Sequence, residues 1–317
     1  MTTALYSHPA SRGHRMPEGH PECVDRIVAI ETALAAPEFD SLLRLEAPEA
    51  DDAAILRCHP QRYLDRVAAT APASGWAALD ADTHIMAGSL PAARRAAGAA
   101  VAAVDLVLDG DAQNAFCALR PPGHHAEHET AMGFCLFGNV AIAAKHALDV
   151  RGLSRVAIVD FDVHHGNGTQ DLLWDDRRAV FISTHQSPLY PGSGRMHERG
   201  AHGQIVNLPL PPGTDGAEYR AIFTSHVIPA LHAARPELIL VSAGFDAHMA
   251  DPLAEMNLAT DDFAWIAGQL CDLAQTYCDG RLVSVLEGGY DLTALADSAA
   301  AFLRVLMARS MKGNADE

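Results

Sequence analysis

The stretch RVAIVDFDVHHGNGT, residues 155–169, places four apolar residues directly before a dense group of acidic and histidine side chains. Residues 156–159 are typical of a strand buried on both faces, because such strands are short, continuous apolar runs. In an extended chain alternate side chains share one side, so we expect Asp160, Asp162 and His164 on the same side. Buried carboxylates and imidazoles need partners, and this spacing suits a metal ion. A solvated loop with hydrogen-bonded histidines is the alternative.

The composition indicates a globular protein with an acidic surface. The chain has 317 residues, of which 49% are hydrophobic and 20% charged, and we expect one domain over residues 1–317 with a frayed tail at 310–317. The 23 basic and 40 acidic residues give a net charge of −17, so neither nucleic acid nor an anionic membrane is expected as a partner. A cationic substrate is compatible with this charge, although solubility alone also explains it. Assembly into a homo-oligomer stays open.

Three features predict a cytoplasmic protein. The six cysteines include no CxxC pair, which favours free thiols in a reducing compartment. The first residues lack the basic and apolar regions of a secretory signal. No apolar run reaches the roughly 18 residues of a membrane span.

Short apolar runs alternate with helix-length segments along most of the chain. One helix is expected between Pro91 and Gly110, and another between Thr260 and Gly280. The alternation predicts a three-layer α/β fold, in which helices cover both faces of a mainly parallel sheet. The predicted strands are residues 3–7, 115–119, 155–159, 179–183, 205–210, 238–243 and 282–286.

Four of these predicted strands are followed at once by unusual polar sequences. They are RPPGHHAE, DFDVHHGNG, GFDAH and EGGYDL. The carboxyl ends of parallel strands meet at one edge of a sheet, which is where open α/β sheets place their sites. The four clusters therefore predict one shared catalytic or metal site.

The candidate metal ligands are two carboxylates and one imidazole, from Asp162, Asp246 and His164. Such a set leaves positions open for water or substrate, as catalytic zinc sites do. Zinc is favoured, and Fe²⁺, Mn²⁺ or Co²⁺ also suit these donors.

The candidate acid–base groups are the adjacent histidines His124 and His125. The side chains of Asp160 and Asn167 are available to orient them. Tyr290, which follows two glycines, is a candidate donor of a hydrogen bond to an oxyanion. The alternatives are a histidine pair on a solvated loop and a tyrosine in an ordinary turn.

Taken together, the motifs resemble the zinc-dependent histone deacetylase family, in particular its class II branch and its bacterial amidohydrolase and acetylpolyamine amidohydrolase relatives. The motifs that carry this resemblance span almost the whole chain: HPECVDRI, RPPGHHAE, MGFCLFGNVAIAA, VDFDVHHGNGTQ, ISTHQSPLYPGSG, SAGFDAHMADPL and LEGGYDL. The resemblance implies the arginase/deacetylase fold, with about eight central strands. It also implies a hydrolase that removes an acyl group from a lysine side chain or a similar amine.

The resemblance gives each matching residue a role. The implied zinc ligands are Asp162, His164 and Asp246. The implied catalytic groups are His125 as base and acid, His124 as its electrostatic partner, Asp160 and Asn167 as orienting groups, and Tyr290 as oxyanion donor. A structural potassium ion is implied at Asp160, Asp162, His164, Ser183 and Thr184, and a second monovalent cation at Leu173, Asp176 and Ala179.

The implied substrate contacts form an acyl tunnel. Its predicted residues are Gly133, Phe134, Tyr190, Leu253, Gly288 and Gly289. Tyr190 stands where the family usually has phenylalanine. Leu253 stands at the gatekeeper position, where polyamine-selective members tend to carry an acidic residue, so we expect acyl-lysine to be preferred. Glu255 would support polyamine binding if its loop turned it inward.

Three alternatives to an acyl-lysine hydrolase stay open from the sequence. The first is an acetylpolyamine deacetylase. The second is a ureohydrolase of the related arginase fold, which needs a two-metal cluster. The third is a non-catalytic protein that binds acyl-lysine or a metabolite, and the presence of His125 and Tyr290 favours an enzyme over it.

Overall fold

The computed structural model describes residues 2–312, in which strands and helices alternate as the sequence predicts. Its strands are β1 (Thr3–Ser7), β2 (Leu43–Glu46), β3 (Ala77–Ala78), β4 (His84–Ile85), β5 (Asn114–Cys117), β6 (Val156–Asp160), β7 (Ala179–Gln186), β8 (Ile205–Leu210), β9 (Ile239–Ala243) and β10 (Leu282–Leu286). Its helices are α1 (Val24–Ala33), α2 (Asp52–Ile55), α3 (Gln61–Thr70), α4 (Ser89–Asp109), α5 (Asn139–Asp149), α6 (Asn167–Leu172), α7 (Gly216–Ile222), α8 (Ile228–Ala234), α9 (Thr260–Cys278) and α10 (Leu292–Lys312).

The central sheet has eight parallel strands in the order β2-β1-β5-β10-β9-β6-β7-β8. This confirms the predicted three-layer α/β architecture, and all seven predicted strands are present with small shifts at their ends. The strand of this sheet that was not predicted is β2, at its edge, where half-buried leucines alternate with exposed charged residues. Four residues of this kind carry no clear strand signal. The strands β3 and β4 pair as a separate antiparallel hairpin.

Apolar side chains cover both faces of the sheet. In β6, Val156 and Ile158 join the core beneath α4 and α5, whereas Ala157 and Val159 join the core beneath α1, α9 and α10. A strand between two cores must be apolar on both sides, which explains its continuous apolar run. Each fully buried Val or Ile side chain contributes roughly 1.5–3 kcal/mol.

The chain ends of the described region are tied together. Helix α10 runs to Lys312 and so includes residues 310–312 of the predicted frayed tail. Ser310 is buried and its hydroxyl lies 3.2 Å from the Thr3 hydroxyl, which anchors this helix to β1. Residues 313–317 of the predicted tail lie outside the described residues, and the single domain over 1–317 stays a prediction. In the region that the structure describes, no helix is long and apolar enough to cross a membrane.

The four polar sequences singled out above follow β5, β6, β9 and β10. These strands are neighbours in the middle of the sheet, in the order β5-β10-β9-β6. Their carboxyl ends therefore bring the four sequences to one place, as predicted.

A close backbone contact inside α4 gives a test of this packing. A Cβ atom on Gly98 would lie 2.1 Å from the carbonyl oxygen of Pro48. We expect Gly98→Ala to lower the free energy of unfolding by about 1–3 kcal/mol, because backbone atoms cannot move aside easily. Urea denaturation followed by circular dichroism measures the change.

The matched control is Gly268→Ala in α9, where, apart from the neighbouring backbone of the helix itself, no atom of the described residues lies within 4 Å of the added Cβ. Helix propensity should raise the free energy of unfolding there by about 0.5–1 kcal/mol. Equal changes in the two variants would be inconsistent with the contact between α4 and Pro48.

Candidate active site

The side chains of Asp162, His164 and Asp246, called the Asp–His–Asp group below, converge at the carboxyl ends of β6 and β9. Nδ1 of His164 lies 3.1 Å from Oδ1 of Asp162 and 3.1 Å from Oδ2 of Asp246. One ligand atom from each residue lies within 4.8 Å of the other two. All three residues are buried. The structure thus brings the predicted ligands together, and within residues 2–312 it shows no second group of this kind.

Backbone amides fix both carboxylates of this group. The N–H of Val163 donates to Oδ1 of Asp246, and the N–H of Gly288 donates to Oδ2 of Asp162, each at 2.8 Å. Glycine is required for this close approach, since a Cβ on Gly288 would lie 2.0 Å from Oδ2 of Asp246. The carboxylate oxygens are therefore held in place by the fold itself.

The charge at this position favours a cation. Burial, reinforced by the charge of Asp162, raises the pKa of Asp246. Burial also raises the pKa of the neighbouring Asp160 to about 6, although His124 acts in the opposite direction. Buried carboxylates are stable when they are paired or coordinate a metal. Two carboxylates and one imidazole fit a divalent ion and suit Zn²⁺ and Fe²⁺ alike.

His125 has a defined hydrogen-bonding state. Its Nδ1 lies 2.7 Å from Oδ1 of Asn167, whose Nδ2 donates to Oε1 of Glu127 at 2.7 Å. The second bond fixes the orientation of the Asn167 amide, so Oδ1 accepts and Nδ1 of His125 carries the hydrogen. The lone pair of a neutral His125 is then on Nε2.

The rings of His124 and His125 are tilted by 44° to each other, with centroids 4.0 Å apart. Nδ1 of His124 lies 3.0 Å from Oδ2 of Asp160. Burial alone would lower the pKa of His124, but the carboxylates of Asp162, Asp160 and Glu287 raise it well above its usual value. Burial and the adjacent charge of His124 keep the pKa of His125 well below its usual value. The two histidines are therefore electrostatically distinct.

A cavity of about 240 Å³ leads from the protein surface to His125, His164 and Tyr290. Its lining residues are Asp82, His125, Gly133, Phe134, His164, Leu189, Tyr190, Leu253 and Tyr290. Most of them are apolar or aromatic, and one aspartate, two histidines and two tyrosines supply polar groups. This is the usual composition of a small-molecule pocket.

Aromatic rings form the walls of the cavity. The ring of Phe134 meets that of Tyr290 edge-on, with centroids 5.9 Å apart, and the ring of Tyr190 meets that of His125 at 5.1 Å. Gly133 lets the chain pass close to the histidine, because a Cβ there would lie 2.3 Å from Cδ2 of His125. The predicted tunnel residues Gly133, Phe134 and Tyr190 therefore do line one cavity.

Leu253 also lines the cavity, whereas Glu255 is exposed and is not among the lining residues. Gly288 and Gly289, also predicted as substrate contacts, are buried and are not among the residues that line the cavity. Gly288 instead donates its N–H to Asp162, and the substrate contacts of both glycines stay a prediction.

The hairpin of β3 and β4 supplies part of the cavity rim that the sequence analysis missed. Asp82 lies in its turn, and its Oδ1 accepts the N–H of Gly133 at 3.2 Å. The hydroxyl of Thr83 accepts the N–H of Phe134 at 3.0 Å. The segment LDADTHI has no spacing that predicts these contacts.

A buried carboxylate behind the site, Glu287, was also missed. Its Oε2 accepts the N–H groups of Gly123 at 2.6 Å and His124 at 3.1 Å, while its Oε1 accepts the hydroxyl of Ser242 at 3.1 Å. Glu287 therefore fixes the turn that presents the histidine pair. An acidic residue directly after the apolar run of β10 was the available signal.

Arg26 of α1 is a third missed residue. It is fully buried, and its Nε donates to the carbonyl oxygen of Gly289 at 2.6 Å. It also pairs with Glu22 at 3.0 Å and lies 4.9 Å from the ring centroid of Tyr290. Glu22 is four residues away, but Gly289 and Tyr290 are distant in sequence, so the role of Arg26 at the turn of Tyr290 cannot be inferred from local spacing.

The residues predicted for potassium lie close together. Asp160 and Ser183 are paired neighbours on β6 and β7, and the hydroxyl of Thr184 donates to the carbonyl oxygen of Asp160 at 3.4 Å. The potassium site stays a prediction. So does the second cation site at Leu173, Asp176 and Ala179, where the carbonyl oxygen of Leu173 accepts the side-chain amide of Gln204 at 3.1 Å.

Comparison with known proteins decides the family. A family model described as a histone deacetylase domain matches residues 20–306. The chain belongs to the histone deacetylase family. A solved structure described as the crystal structure of the HDA15 HD domain is similar with a TM-score of 0.92 and 32% sequence identity, over 99% of this chain and 92% of the other. The fold is therefore the arginase/deacetylase fold.

Two relatives show the breadth of the family. Histone deacetylase 14, chloroplastic, of Arabidopsis thaliana is 40% identical over 323 residues, which cover 96% of this chain and 76% of the relative. The histone deacetylase-like amidohydrolase of Pseudomonas aeruginosa is 42% identical over 277 residues, which cover 86% of this chain and 73% of the relative. Histone deacetylase membership disfavours the ureohydrolase alternative, which also needs a second metal site.

We expect the purified protein to bind one divalent ion per chain. Asp246→Ala removes one of the three predicted ligands and should lower metal affinity by more than about tenfold. Elemental analysis after dialysis against metal-free buffer measures the bound ion. The matched control is Asp272→Ala, since Asp272 is exposed and forms a surface ion pair with Arg309. Full metal content in the Asp246→Ala protein would refute the ligand assignment.

Proposed function

We propose that this protein is a zinc-dependent amidohydrolase that removes acetyl or other acyl groups from acylated lysine side chains or similar acylated amines. The observation that carries the proposal is the cavity of about 240 Å³ that reaches His125, His164 and Tyr290. Membership of the histone deacetylase family supports the reaction class.

The cavity suits a long, thin acylated side chain. Phe134 and Tyr190 offer apolar walls to a chain of methylene groups. An acylated amine carries no charge, so it can enter between these walls without a counter-ion. Its amide then lies near the Asp–His–Asp group, where polar partners are available.

Asp162, His164 and Asp246 would hold the metal ion. When bound, a divalent ion would act as a Lewis acid that polarises the acyl carbonyl and would lower the pKa of a water molecule that it binds from ~15.7 towards ~7. Zinc is proposed because it prefers few ligands and open positions, with Fe²⁺ as the alternative. A structural potassium ion beside Asp160 belongs to the same proposal.

His125 is proposed as the general base and acid. Because its Nδ1 hydrogen is donated to Asn167, its Nε2 is free to take a proton from an attacking water. The same atom can then return a proton to the departing amine. His124, held by Asp160, supplies a neighbouring hydrogen-bond donor.

Tyr290 is proposed to donate its hydroxyl hydrogen to the oxyanion that forms on the acyl carbon. It lines the cavity on the side of Phe134, within reach of a substrate between the walls. Donors already in place stabilise such charge without reorganisation during the reaction.

We expect Tyr290→Phe to lower kcat on an acetyl-lysine peptide by ~10²–10³, which equals about 2.7–4 kcal/mol. Bound metal should stay close to the wild-type amount. The control is Tyr277→Phe, in which the lost hydroxyl is the hydrogen-bond partner of His232, outside the residues that line the cavity. A wild-type protein that binds the acylated peptide without turning it over would instead support the non-catalytic binding alternative.

The second candidate substrate class is acetylated polyamines. Leu253 at the cavity offers no charge complement to a polyamine, and Glu255 does not line the cavity.

We therefore expect a higher kcat/KM for acetyl-lysine peptides than for N8-acetylspermidine, and Leu253→Glu should shift the ratio towards the polyamine. Glu255→Gln is the matched control and should leave the ratio unchanged. A tenfold preference for acetylspermidine, ~1.4 kcal/mol in transition-state binding, would reverse this assignment.

A cytoplasmic location is part of the proposal and is supported by the cysteines. All six are free thiols, as a reducing compartment favours. Nucleic acids and membranes are not among the proposed partners. Assembly into a homo-oligomer stays open.

A further inference from the structure

Tyr290 follows two glycines, Gly288 and Gly289, which restrain the backbone very little. Gly289 has a φ angle of +117°, a conformation that favours glycine. A catalytic group must be held within ~0.5 Å of its productive position by the residues around it. The turn cannot provide this by itself, so contacts from other segments must fix Tyr290.

Asp251 makes the contact that fixes the backbone of Tyr290. It lies in the loop between β9 and α9 and is only 7% exposed. Its Oδ2 accepts the N–H of Tyr290 at 2.7 Å, and its Oδ1 accepts the N–H of Leu253 at 3.0 Å. One buried carboxylate therefore joins the turn of Tyr290 to the loop that carries Leu253.

Because Asp251 is buried, the loss of either hydrogen bond would leave a carboxylate oxygen without a partner at a high cost in free energy. Its carboxylate forms no salt bridge with a residue of the described region, so backbone N–H groups compensate for the lost hydration. Arg26 holds the same turn from the other side, through the carbonyl oxygen of Gly289. The turn is thus held at two points. The Asp251 carboxylate accepts the N–H of Tyr290, and the Arg26 guanidinium donates to the carbonyl oxygen of Gly289.

We propose that Asp251 is a positioning residue that fixes Tyr290 at the cavity and couples it to the Leu253 loop. The inference rests on the proposed deacylase function, because it assumes that the Tyr290 hydroxyl acts in the reaction. Asp251 itself does not line the cavity, so it acts through Tyr290 and not on the substrate.

A double-mutant cycle tests the proposal. We compare wild type, Asp251→Ala, Tyr290→Phe and the double variant, measuring kcat and KM with an acetyl-lysine peptide and the metal content of each protein. Asp251→Ala should lower kcat by about tenfold or more when Tyr290 is present, but by less than about twofold in the Tyr290→Phe background. Once the hydroxyl of residue 290 is absent, fixing its position can no longer contribute to kcat.

Conservative and remote variants separate positioning from folding. Asp251→Asn keeps one acceptor oxygen and should recover part of kcat; if Asp251→Ala does not fold, Asp251→Asn takes its place in the cycle. Asp51→Ala removes a carboxylate that accepts the N–H of Ala54 at 2.8 Å, remote from the site, and should leave kcat unchanged.

Two outcomes would overturn the inference in distinguishable ways. If wild type turns over and Asp251→Ala lowers kcat by the same factor in both backgrounds, or not at all, Asp251 does not act through Tyr290. If wild type binds metal but has no turnover, the proposed function fails, and the positioning role fails with it.

Discussion

Three carboxylates buried at the ends of β6 and β9 impose the constraint on which the rest of the site depends. Asp160, Asp162 and Asp246 are 0% exposed. Moving such groups out of water is costly unless cations, hydrogen bonds or a metal compensate. His124 and His164 contact them, and backbone N–H groups supply further hydrogen bonds. One potential metal-ligand atom from each of Asp162, His164 and Asp246 lies close to the other two, at a position where a divalent ion fits.

The parallel sheet makes this concentration of charge feasible. Apolar strands buried on both faces form a rigid support, and the four strands that carry the site are neighbours in it. Glycines at the strand ends let backbone amides reach the carboxylates, as Gly288 does for Asp162. The same glycines leave the turn before Tyr290 without internal restraint. Asp251 and Arg26 supply that restraint from outside the turn.

Features that depend on residues close together in the sequence could be predicted from it, whereas contacts between residues far apart along the chain could not. The apolar run before Asp160 and the spacing of Asp162 and His164 are local, so the sequence alone predicted β6 and the candidate ligands that follow it. Edge strand β2 was missed because four alternating residues resemble a loop. Arg26 was missed because its partner Gly289 lies 263 residues away along the chain. Only the fold brings such pairs together.

The position of the two-glycine turn shows the same limit. A motif indicates that Gly288 and Gly289 adjoin the site, but not on which side of the ligands they pass. Their burial behind Asp162 is a tertiary feature, and so are the contacts of Glu287 with the histidine turn. Residue types at strand ends thus predict the chemistry of a site, while its supporting contacts require the structure.

The central claim is that one metal ion at the Asp–His–Asp group enables hydrolysis of an acyl amide. The most direct test titrates Zn²⁺ into metal-free protein and measures acetate released from an acetyl-lysine peptide. We expect a release rate that rises linearly with added zinc and reaches its plateau at one ion per chain. Acetate release that does not depend on added metal, or zinc binding at one ion per chain without acetate release, would contradict it.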